Sequence, residues 1–282
     1  MKKLLYVSLC LLASSVFGAE CSKYNRAYVS AAEHGVPYLL RNKSAHYVVS
    51  YRYQHPSPSR PPQVVLGMVR PLPRTGFGPR EFTFLTINGI DSRMLEPKKF
   101  EIFNTKESSG IDVHFNFDGI PMIQRFSISD SSPLLTMTWL RGKGKPMGPI
   151  KTMSIRFNAI PCAAGRAAGS YSREVVSSLK VYSIRGSKLN RQKLSAQDGN
   201  LIFQDAKYQS GKGKSFAGPV LLCPEWKSIL SGTAVFGTQQ EMHVIFNLDP
   251  KAASWSFGML ESEIKHSNTE FADFVKKQGI AP

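Results

Sequence analysis

Tyrosine, histidine and arginine alternate along one candidate strand near the N-terminus. Residues 46–55 read His-Tyr-Val-Val-Ser-Tyr-Arg-Tyr-Gln-His, so a strand here places Tyr51 on one face and His46 and Arg52 on the other. A cation can neutralise the carboxylate of a uronic acid while a Tyr or His exchanges protons. His46, Tyr51 and Arg52 are therefore candidate groups for chemistry on an acidic sugar. Tyrosine also packs well in sheets, and an ordinary sheet edge is the alternative interpretation.

A second polar set lies on a predicted hairpin. Apolar residues alternate with polar ones from Ile111 to Phe117, and Asp118-Gly119 is a two-residue turn signal. The expected register pairs Phe117 with Ile120, Phe115 with Met122 and Ile111 with Phe126, and it brings Asp112 opposite Arg125. Opposite charges across a strand pair support this register. The polar side chains that could hydrogen-bond sugar hydroxyls are Asp112, His114, Asn116 and Arg125. The alternative is a solvated outer face of the sheet.

The three tryptophans divide by their surroundings. Trp139 follows Leu135 and Met137 at strand spacing, and Trp255 precedes Phe257, so both are predicted to be core residues. Trp226 stands in the irregular segment Cys-Pro-Glu-Trp-Lys, which makes it the candidate for stacking on a sugar. Burial is the more common fate of such a ring.

Motifs that would identify a metal site, a phosphate-binding loop or a catalytic nucleophile are absent from the sequence. There is no Cys-x-x-Cys, no His-Glu-x-x-His and no Gly-x-Ser-x-Gly. Gly213-Lys214-Ser215 ends like a phosphate-binding loop, but Tyr208 occupies the position of the earlier glycine. No metal site, cofactor or catalytic residue is therefore assigned from a motif.

Short strands separated by turn residues predict an all-β fold. The further strand candidates are residues 46–53, 63–70, 82–87, 99–104, 134–140, 151–157, 178–185, 241–248 and 253–259. Asn88-Gly89 is another hairpin signal, and Ser131-Ser132-Pro133 indicates a turn. One helix is predicted at the C-terminus, with a capping box at Ser267 and Glu270 and a terminating Gly279. We expect a large antiparallel β-sandwich with a short C-terminal helix.

Two segments of the chain share a Gly-apolar-Pro pattern that ends in Arg. They are Gly35-Val-Pro-Tyr-Leu-Leu-Arg41 and Gly119-Ile-Pro-Met-Ile-Gln-Arg125. Turn chemistry selects Gly and Pro, so each copy predicts a turn that opens the second strand of a hairpin.

The N-terminus has the organisation of a secretory signal peptide. Lys2 and Lys3 precede an apolar run, and Val16 and Gly18 supply small side chains at the positions that a signal peptidase inspects. The apolar run is too short to span a membrane. Residues 1–19 are assigned to the signal, with the mature chain starting near Ala19 or Glu20, and residues 20–282 to a single β-sandwich domain. We expect a secreted or periplasmic protein.

The cysteines allow one disulfide in the mature chain. Glu20 stands where a lipid-attachment site needs a small residue, so Cys21 is not expected to carry a lipid. Cys10 is lost with the signal, which leaves Cys21, Cys162 and Cys223. Cys162 and Cys223 each adjoin a proline at a predicted strand end and form the favoured disulfide. Three buried thiols are the alternative.

The chain is strongly basic. Its formal net charge is +16, and loss of Lys2 and Lys3 lowers this by two. The cations concentrate in predicted turns, as in Arg141-Gly-Lys-Gly-Lys145. Such clusters attract acidic polysaccharide, anionic lipid or nucleic acid, and export makes nucleic acid an unexpected partner. General solubility is the alternative explanation of the charge.

One stretch of the sequence resembles a known family. The Gly-Ile-Pro strand start at Gly119, followed by Arg125-Phe-Ser-Ile-Ser-Asp-Ser-Ser-Pro-Leu-Leu-Thr-Met-Thr-Trp139, resembles the β-supersandwich of galactose-mutarotase-like proteins. Such domains occur in sugar epimerases, polysaccharide lyases and glycoside hydrolases, so the resemblance implies a carbohydrate ligand. The catalytic His and Glu of the epimerases match no motif of this chain.

Three classes of function fit these observations. The first is a secreted binding domain for a carbohydrate polymer, and both neutral and acidic polymers fit this class. The second is an epimerase-like enzyme or a lyase that uses His46, Tyr51 and Arg52, or His114 and Arg125. The third is a structural envelope protein held by charge and protein contacts.

Overall fold

Antiparallel sheets make up nearly all of the structure, a computed structural model. It describes residues 18–23, 33–54, 63–71, 83–159, 179–184, 193–205, 220–236, 242–261 and 268–280. Within these ranges there are three sheets and one α-helix, α1 (Asn268–Lys277). The predicted all-β class with a short C-terminal helix is confirmed.

The strands, numbered in chain order, are arranged as follows across each sheet. The four-stranded sheet consists of β1 (Glu20–Lys23), β2 (Glu33–Arg41), β3 (His46–Gln54) and β4 (Gln63–Pro71). The eight-stranded sheet consists of β12 (Leu179–Ser183), β14 (Leu201–Asp205), β15 (Val220–Pro224), β18 (Ser254–Glu261), β10 (Leu135–Arg141), β9 (Ile120–Ser129), β8 (Ser108–Phe117) and β7 (Lys99–Asn104). The six-stranded sheet consists of β13 (Lys193–Leu194), β16 (Ile229–Phe236), β17 (Met242–Leu248), β11 (Met153–Ala159), β5 (Thr83–Ile87) and β6 (Ile90–Asp91).

One apolar cluster joins the three sheets. It takes Tyr38 and Val49 from the four-stranded sheet, Phe126 from the eight-stranded sheet and Phe246 from the six-stranded sheet. Ring contacts cross the layers, since Phe157 lies 4.8 Å from Phe257 between ring centroids. The inner face of the eight-stranded sheet therefore packs against both of the other sheets, as in a sandwich.

A second, smaller cluster lies on the opposite face of the eight-stranded sheet. Phe271 and Val275 of α1 pack there against Ile202, Leu221 and Leu260. The helix thus covers the part of the outer face formed by β14, β15 and β18. Among the described elements, none is packed over the outer face of β7, β8 and β9.

The β8–β9 hairpin has the predicted register at every pair. Phe117 lies opposite Ile120, and Asp112 lies opposite Arg125. The turn has positive φ at Asp118 (50°) and Gly119 (82°), as a tight two-residue hairpin turn requires. The inward residues of both strands are buried, which is why alternation alone fixed the register.

Most other predicted elements agree with the structure to within one or two residues. The strand predicted over 99–104 has those bounds, and Asn88 and Gly89 form a second tight turn. Helix α1 is followed by Gly279 at φ 73°. Trp139 and Trp255 are fully buried, as predicted.

The turn predicted at Gly35 is wrong. Gly35 and Pro37 lie inside β2, which pairs along its whole length with β3. β1 pairs with β2 only as far as Tyr38, so Pro37 lies beyond the described pairing on that edge. A proline is tolerated at such a position because, among the described strands, none pairs with it on that edge.

Candidate functional site

Three of the sequence-predicted polar residues meet on one exposed face of the eight-stranded sheet. Asp112 and His114 of β8 point to the same side as Arg125 of β9. The register of β7 against β8 adds Lys99 opposite His114 and Glu101 opposite Asp112. These five residues, Lys99, Glu101, Asp112, His114 and Arg125, form what we call the polar face.

Asp112 and Arg125 form a two-point ion pair. Nε and Nη2 of Arg125 donate to Oδ1 and Oδ2 of Asp112, both at 2.7 Å. The carboxylate raises the pKa of Arg125 above its usual value, and the arginine side chain is still 39% exposed. The pair therefore presents a fixed guanidinium edge on the surface, held in place by the Asp112 carboxylate, which is only 14% exposed.

An aromatic ring lies beside this pair. The guanidinium carbon of Arg125 is 4.7 Å from the ring centroid of Phe103, a cation–π distance. Phe103 lies over Gly110, where an added Cβ would come within 2.7 Å of the ring. The same Cβ would also collide with the carbonyl oxygen of Phe126, 2.0 Å away, so both the ring and the neighbouring strand require glycine at position 110.

His114, Glu101 and Lys99 form a second charged group along the same face. Oε1 of Glu101 lies 2.6 Å from Nζ of Lys99, and Oε2 of Glu101 lies 2.6 Å from Nε2 of His114. The bond from Lys99, assisted by that from His114, lowers the pKa of Glu101. Acids and bases nearly balance on the polar face, so it offers hydrogen-bond donors and acceptors rather than a net charge.

Sequence reasoning missed the contribution of β7 to this face. Lys99, Glu101 and Phe103 alternate at strand spacing, and that alternation was the available signal. The residues opposite them on β8, which are His114, Asp112 and Gly110, are given by the β7–β8 register of the structure.

Asn116 has a structural role in the turn. Its Oδ1 accepts a hydrogen bond from the N–H of Gly119 at 2.6 Å. The side chain therefore caps the β8–β9 turn, although Asn116 is exposed next to the polar face.

Residues 142–152, which we call the cationic loop, fold onto the same turn. The N–H of Met147 donates to the carbonyl of Gly119 at 3.1 Å, and that of Gly142 donates to the carbonyl of Pro121 at 2.8 Å. The loop carries Lys143, Lys145 and Lys151, all exposed. These lysines have no ion pair with another described residue, so the loop adds net positive charge beside the polar face.

Arg141 ties this region to a neighbouring loop. Its Nη2 donates to the carbonyl of Pro250, and its guanidinium carbon lies 5.7 Å from the ring centroid of Trp255. Lys251 directly follows Pro250 and is exposed. A fourth lysine therefore stands at the end of the sandwich where the cationic loop lies.

Of the predicted set His46, Tyr51 and Arg52, the structure places Tyr51 in the core. Tyr51 is 3% exposed and its hydroxyl donates to Oε1 of Gln124 at 3.1 Å in the core. Burial raises its pKa well above the usual value. His46 is exposed at the first position of β3. Arg52 belongs to the same strand, and its side chain lies outside the described residues.

Trp226 is held in place by the protein itself. Its Nε1 donates to the carbonyl of Gly199 at 2.9 Å, and its ring meets Phe246 edge to face at 5.6 Å. It is half-buried against the main cluster, away from the polar face.

Two of the cysteines are described. Cys21 and Cys223 form no disulfide with a described residue, and burial raises the pKa of each, as a thiol, to about 12. Cys162 lies outside the described residues, so the pairing of Cys162 with Cys223 stays a prediction.

Two further properties concern the described part of the chain alone. No three His, Cys, Asp or Glu side chains there are grouped to hold a metal ion. No helix there has the length and apolar content needed to cross a bilayer.

Comparison with known proteins finds similar solved structures but no matching family or curated protein. No family model matches the chain, and no curated protein matches it. The solved structures similar to it include the alpha-N-acetylgalactosaminidase NagBb from Bifidobacterium bifidum. Its GalNAc complex has a TM-score of 0.45 and 9% identity, and its Gal-NHAc-DNJ complex has 0.47 and 9%. Each match covers 90% of this chain and 39% of the enzyme chain.

Proposed function

We propose that this chain is an exported protein that binds an acidic polysaccharide. The polar face contacts the sugar hydroxyls, and the cationic loop contacts the acidic groups of neighbouring sugar units. The observation that carries the proposal is the packing of the cationic loop on the β8–β9 turn. That packing places net positive charge at the turn end of the hairpin that carries Asp112, His114 and Arg125.

The chemistry of the polar face suits a sugar. Arg125 and Asp112 are held in a fixed geometry by their two-point bond, so a hydroxyl group finds a donor and an acceptor already in position. Phe103 offers an apolar ring next to them. A preformed polar pair beside an aromatic ring lowers the ordering cost of binding a hydroxylated ligand.

The cationic loop supplies selectivity for charge. Lys143, Lys145 and Lys151 are solvent-exposed, so their attraction for an acidic chain is long-ranged and is screened by salt. A linear polymer can contact both regions, because the loop adjoins the end of β8 and the start of β9. Export to the periplasm or the cell exterior, supported by the signal sequence, brings the protein to such polymers.

The test is binding of the purified mature protein to acidic and neutral oligosaccharides of matched length. We expect binding to at least one acidic glycan, weakening as salt rises. The double variant Lys143→Gln/Lys145→Gln should bind about tenfold more weakly, because each exposed ion pair contributes up to about 1 kcal/mol. Indifference to every acidic glycan at low salt would sink the proposal.

The matched control is Lys43→Gln/Lys106→Gln. Lys43 lies in the β2–β3 turn and Lys106 in the β7–β8 turn, at the opposite end of the sandwich. This variant removes the same charge, so an equal loss of binding would show that net charge alone is responsible. Ultraviolet absorbance of unsaturated uronates during the same incubations would instead identify a lyase.

A further inference from the structure

The amide nitrogen of Ala19 makes a close contact with a carboxylate. It lies 2.5 Å from Oδ1 of Asp130, which follows β9 at the end of the sandwich opposite the cationic loop. In the full-length chain this nitrogen is a neutral peptide N–H. In a chain that begins at Ala19, the same atom is an α-ammonium group with three donors and a positive charge.

Gly18 lies against the same carboxylate. A Cβ built on Gly18 would be 3.2 Å from Oδ2 and 3.4 Å from Oδ1 of Asp130. Cleavage of the Gly18–Ala19 bond would remove the residue that shields this carboxylate. It would also place the new ammonium within reach of both oxygens.

Buried groups hold the residues after Ala19 in place. Ser109, which is 0% exposed, donates its hydroxyl to the carbonyl of Ala19 at 2.6 Å. The N–H of Cys21 donates to Oδ1 of Asn104 at 2.9 Å. The chain from Ala19 to Cys21 is thus fixed to β7 and β8, so the position of the Ala19 nitrogen is set by the fold.

Cys21 argues against a cleavage site further along the chain. Its side chain is 3% exposed and belongs to the main core cluster. A mature chain starting at Cys21 with a lipid on its sulfur would have to pull that side chain out of the core. A start at Glu20 would remove the nitrogen that contacts Asp130.

From these contacts we infer that signal peptidase cleaves between Gly18 and Ala19, and that the new α-ammonium of Ala19 forms an ion pair with Asp130. This pair adds to the hydrogen bonds through which Ser109 and Asn104 already hold β1 to the eight-stranded sheet. Cleavage thereby strengthens the attachment of β1: the hydrolysed peptide bond leaves a carboxylate on Gly18, which departs with the signal, and an ammonium on Ala19, which stays.

The first experiment is N-terminal sequencing of the protein recovered after export. Ala19 is the expected first residue. A start at Met1, at Glu20, at Cys21 or at any other residue would overturn the inference.

The second experiment measures the ion pair in chains 19–282, released from a fusion partner with a free Ala19 or chemically N-acetylated. Acetylation should lower the folding equilibrium constant about fivefold in urea titrations, the upper range for an exposed pair. In the Asp130→Asn background the same acetylation should have less than a twofold effect. If acetylation destabilised the unsubstituted and the Asp130→Asn chains equally, the proposed ion pair between Ala19 and Asp130 would be wrong.

A third chain, extended by four glycines before Ala19, keeps the test decisive if Asp130→Asn does not fold. The extension keeps an ammonium but moves it past position 18, the residue that lies against Asp130, so the extended chain should be as destabilised as the acetylated one. Hydrogen exchange at the β1 amides should also rise in both. A glycine-extended chain as stable as the free Ala19 chain would contradict the inference.

Discussion

Tyr51 shows how a residue type suited to catalysis can serve packing instead. Its hydroxyl donates to Oε1 of Gln124 at 3.1 Å, and Nε2 of Gln124 lies 3.2 Å from Sδ of Met137. Both polar side chains are buried. We expect Tyr51→Phe to lower the free energy of unfolding by about 1–3 kcal/mol, because it leaves a buried amide oxygen without its donor. Urea denaturation measures the loss.

The double variant Tyr51→Phe/Gln124→Met provides the control for that prediction. Removing both polar partners should restore most of the lost stability, since an apolar pair of similar shape leaves no group unsatisfied. Glycan binding should be unchanged in both variants. A loss of binding or turnover in a stably folded Tyr51→Phe protein would instead support a functional hydroxyl.

His243 gives the molecule a pH-dependent stability. Burial, and to a lesser degree the nearby Arg156, lower the pKa of His243 to about 4 from 6.5. Nη2 of Arg156 lies 3.1 Å from its Nδ1, which suits a neutral ring accepting a hydrogen bond. Between pH 6.5 and 4 the unfolded chain binds a proton that the folded one does not, so stability falls as the pH falls through this window.

The check on His243 is a urea titration at several pH values. His243→Gln should flatten the slope of stability against pH between 6.5 and 4 relative to the unsubstituted protein. An identical slope in the two proteins would show that other groups cause the acid sensitivity.

At the scale of elements, two tight turns of the same type differ in what they contact. Gly119 and Gly89 have φ of 82° and 84°, where any side chain is strained. An added Cβ on Gly119 would lie 2.6 Å from Sδ of Met147, whereas nothing lies within 4 Å of one on Gly89. Gly119→Ala should therefore displace the cationic loop as well as strain the turn, and Gly89→Ala should only strain its turn.

The measurement compares both alanine variants in stability and in acidic-glycan affinity. Both should lose about 1–2 kcal/mol of unfolding free energy from backbone strain. Only Gly119→Ala should also bind the glycan several-fold more weakly. Equal affinities would show that the position of the cationic loop does not matter for binding.

The element pattern also explains which strands sequence reasoning found. The β8–β9 hairpin could be assigned residue by residue, because one face of it is buried and the other exposed. β15 was missed, because its run of apolar residues does not alternate. Val220 and Leu222 face the main core, and Leu221 packs under α1. A strand covered on both faces has no two-residue signal.

The candidate site was predictable in part for a related reason. Asp112 and Arg125 are joined by a local turn, so their pairing follows from sequence. The contact of Met147 with Gly119 joins the loop between β10 and β11 to the β8–β9 turn, and no local pattern encodes it. Placement of the cationic loop therefore needed the folded structure.

At the scale of the whole molecule, the cationic loop is far from the contact between Ala19 and Asp130. The cationic loop lies at one end of the sandwich, and Ala19 with Asp130 lies at the other. Screening limits the interaction of exposed charges to about 10 Å at ordinary salt. Processing at Ala19 should therefore change stability without changing the affinity for an acidic ligand.

The three sheets should unfold together, because one apolar cluster contains side chains from all of them. Phe100 of β7 connects the eight-stranded sheet to the four-stranded sheet. Its ring stacks on that of Tyr38 with centroids 5.8 Å apart and contacts the ring of Tyr51 edge to face at 5.1 Å. We expect Phe100→Ala to cost about 2–3 kcal/mol and to shift every sheet to the same lower urea midpoint. Ile102→Ala, on the same strand but 41% exposed, should cost under about 0.5 kcal/mol.

Hydrogen exchange followed by mass spectrometry, at a series of urea concentrations, measures the unfolding midpoints of β3, β9 and β17 separately, one strand from each sheet. A four-stranded sheet that opens well before the other two would show that residues 20–282 hold more than one folding unit.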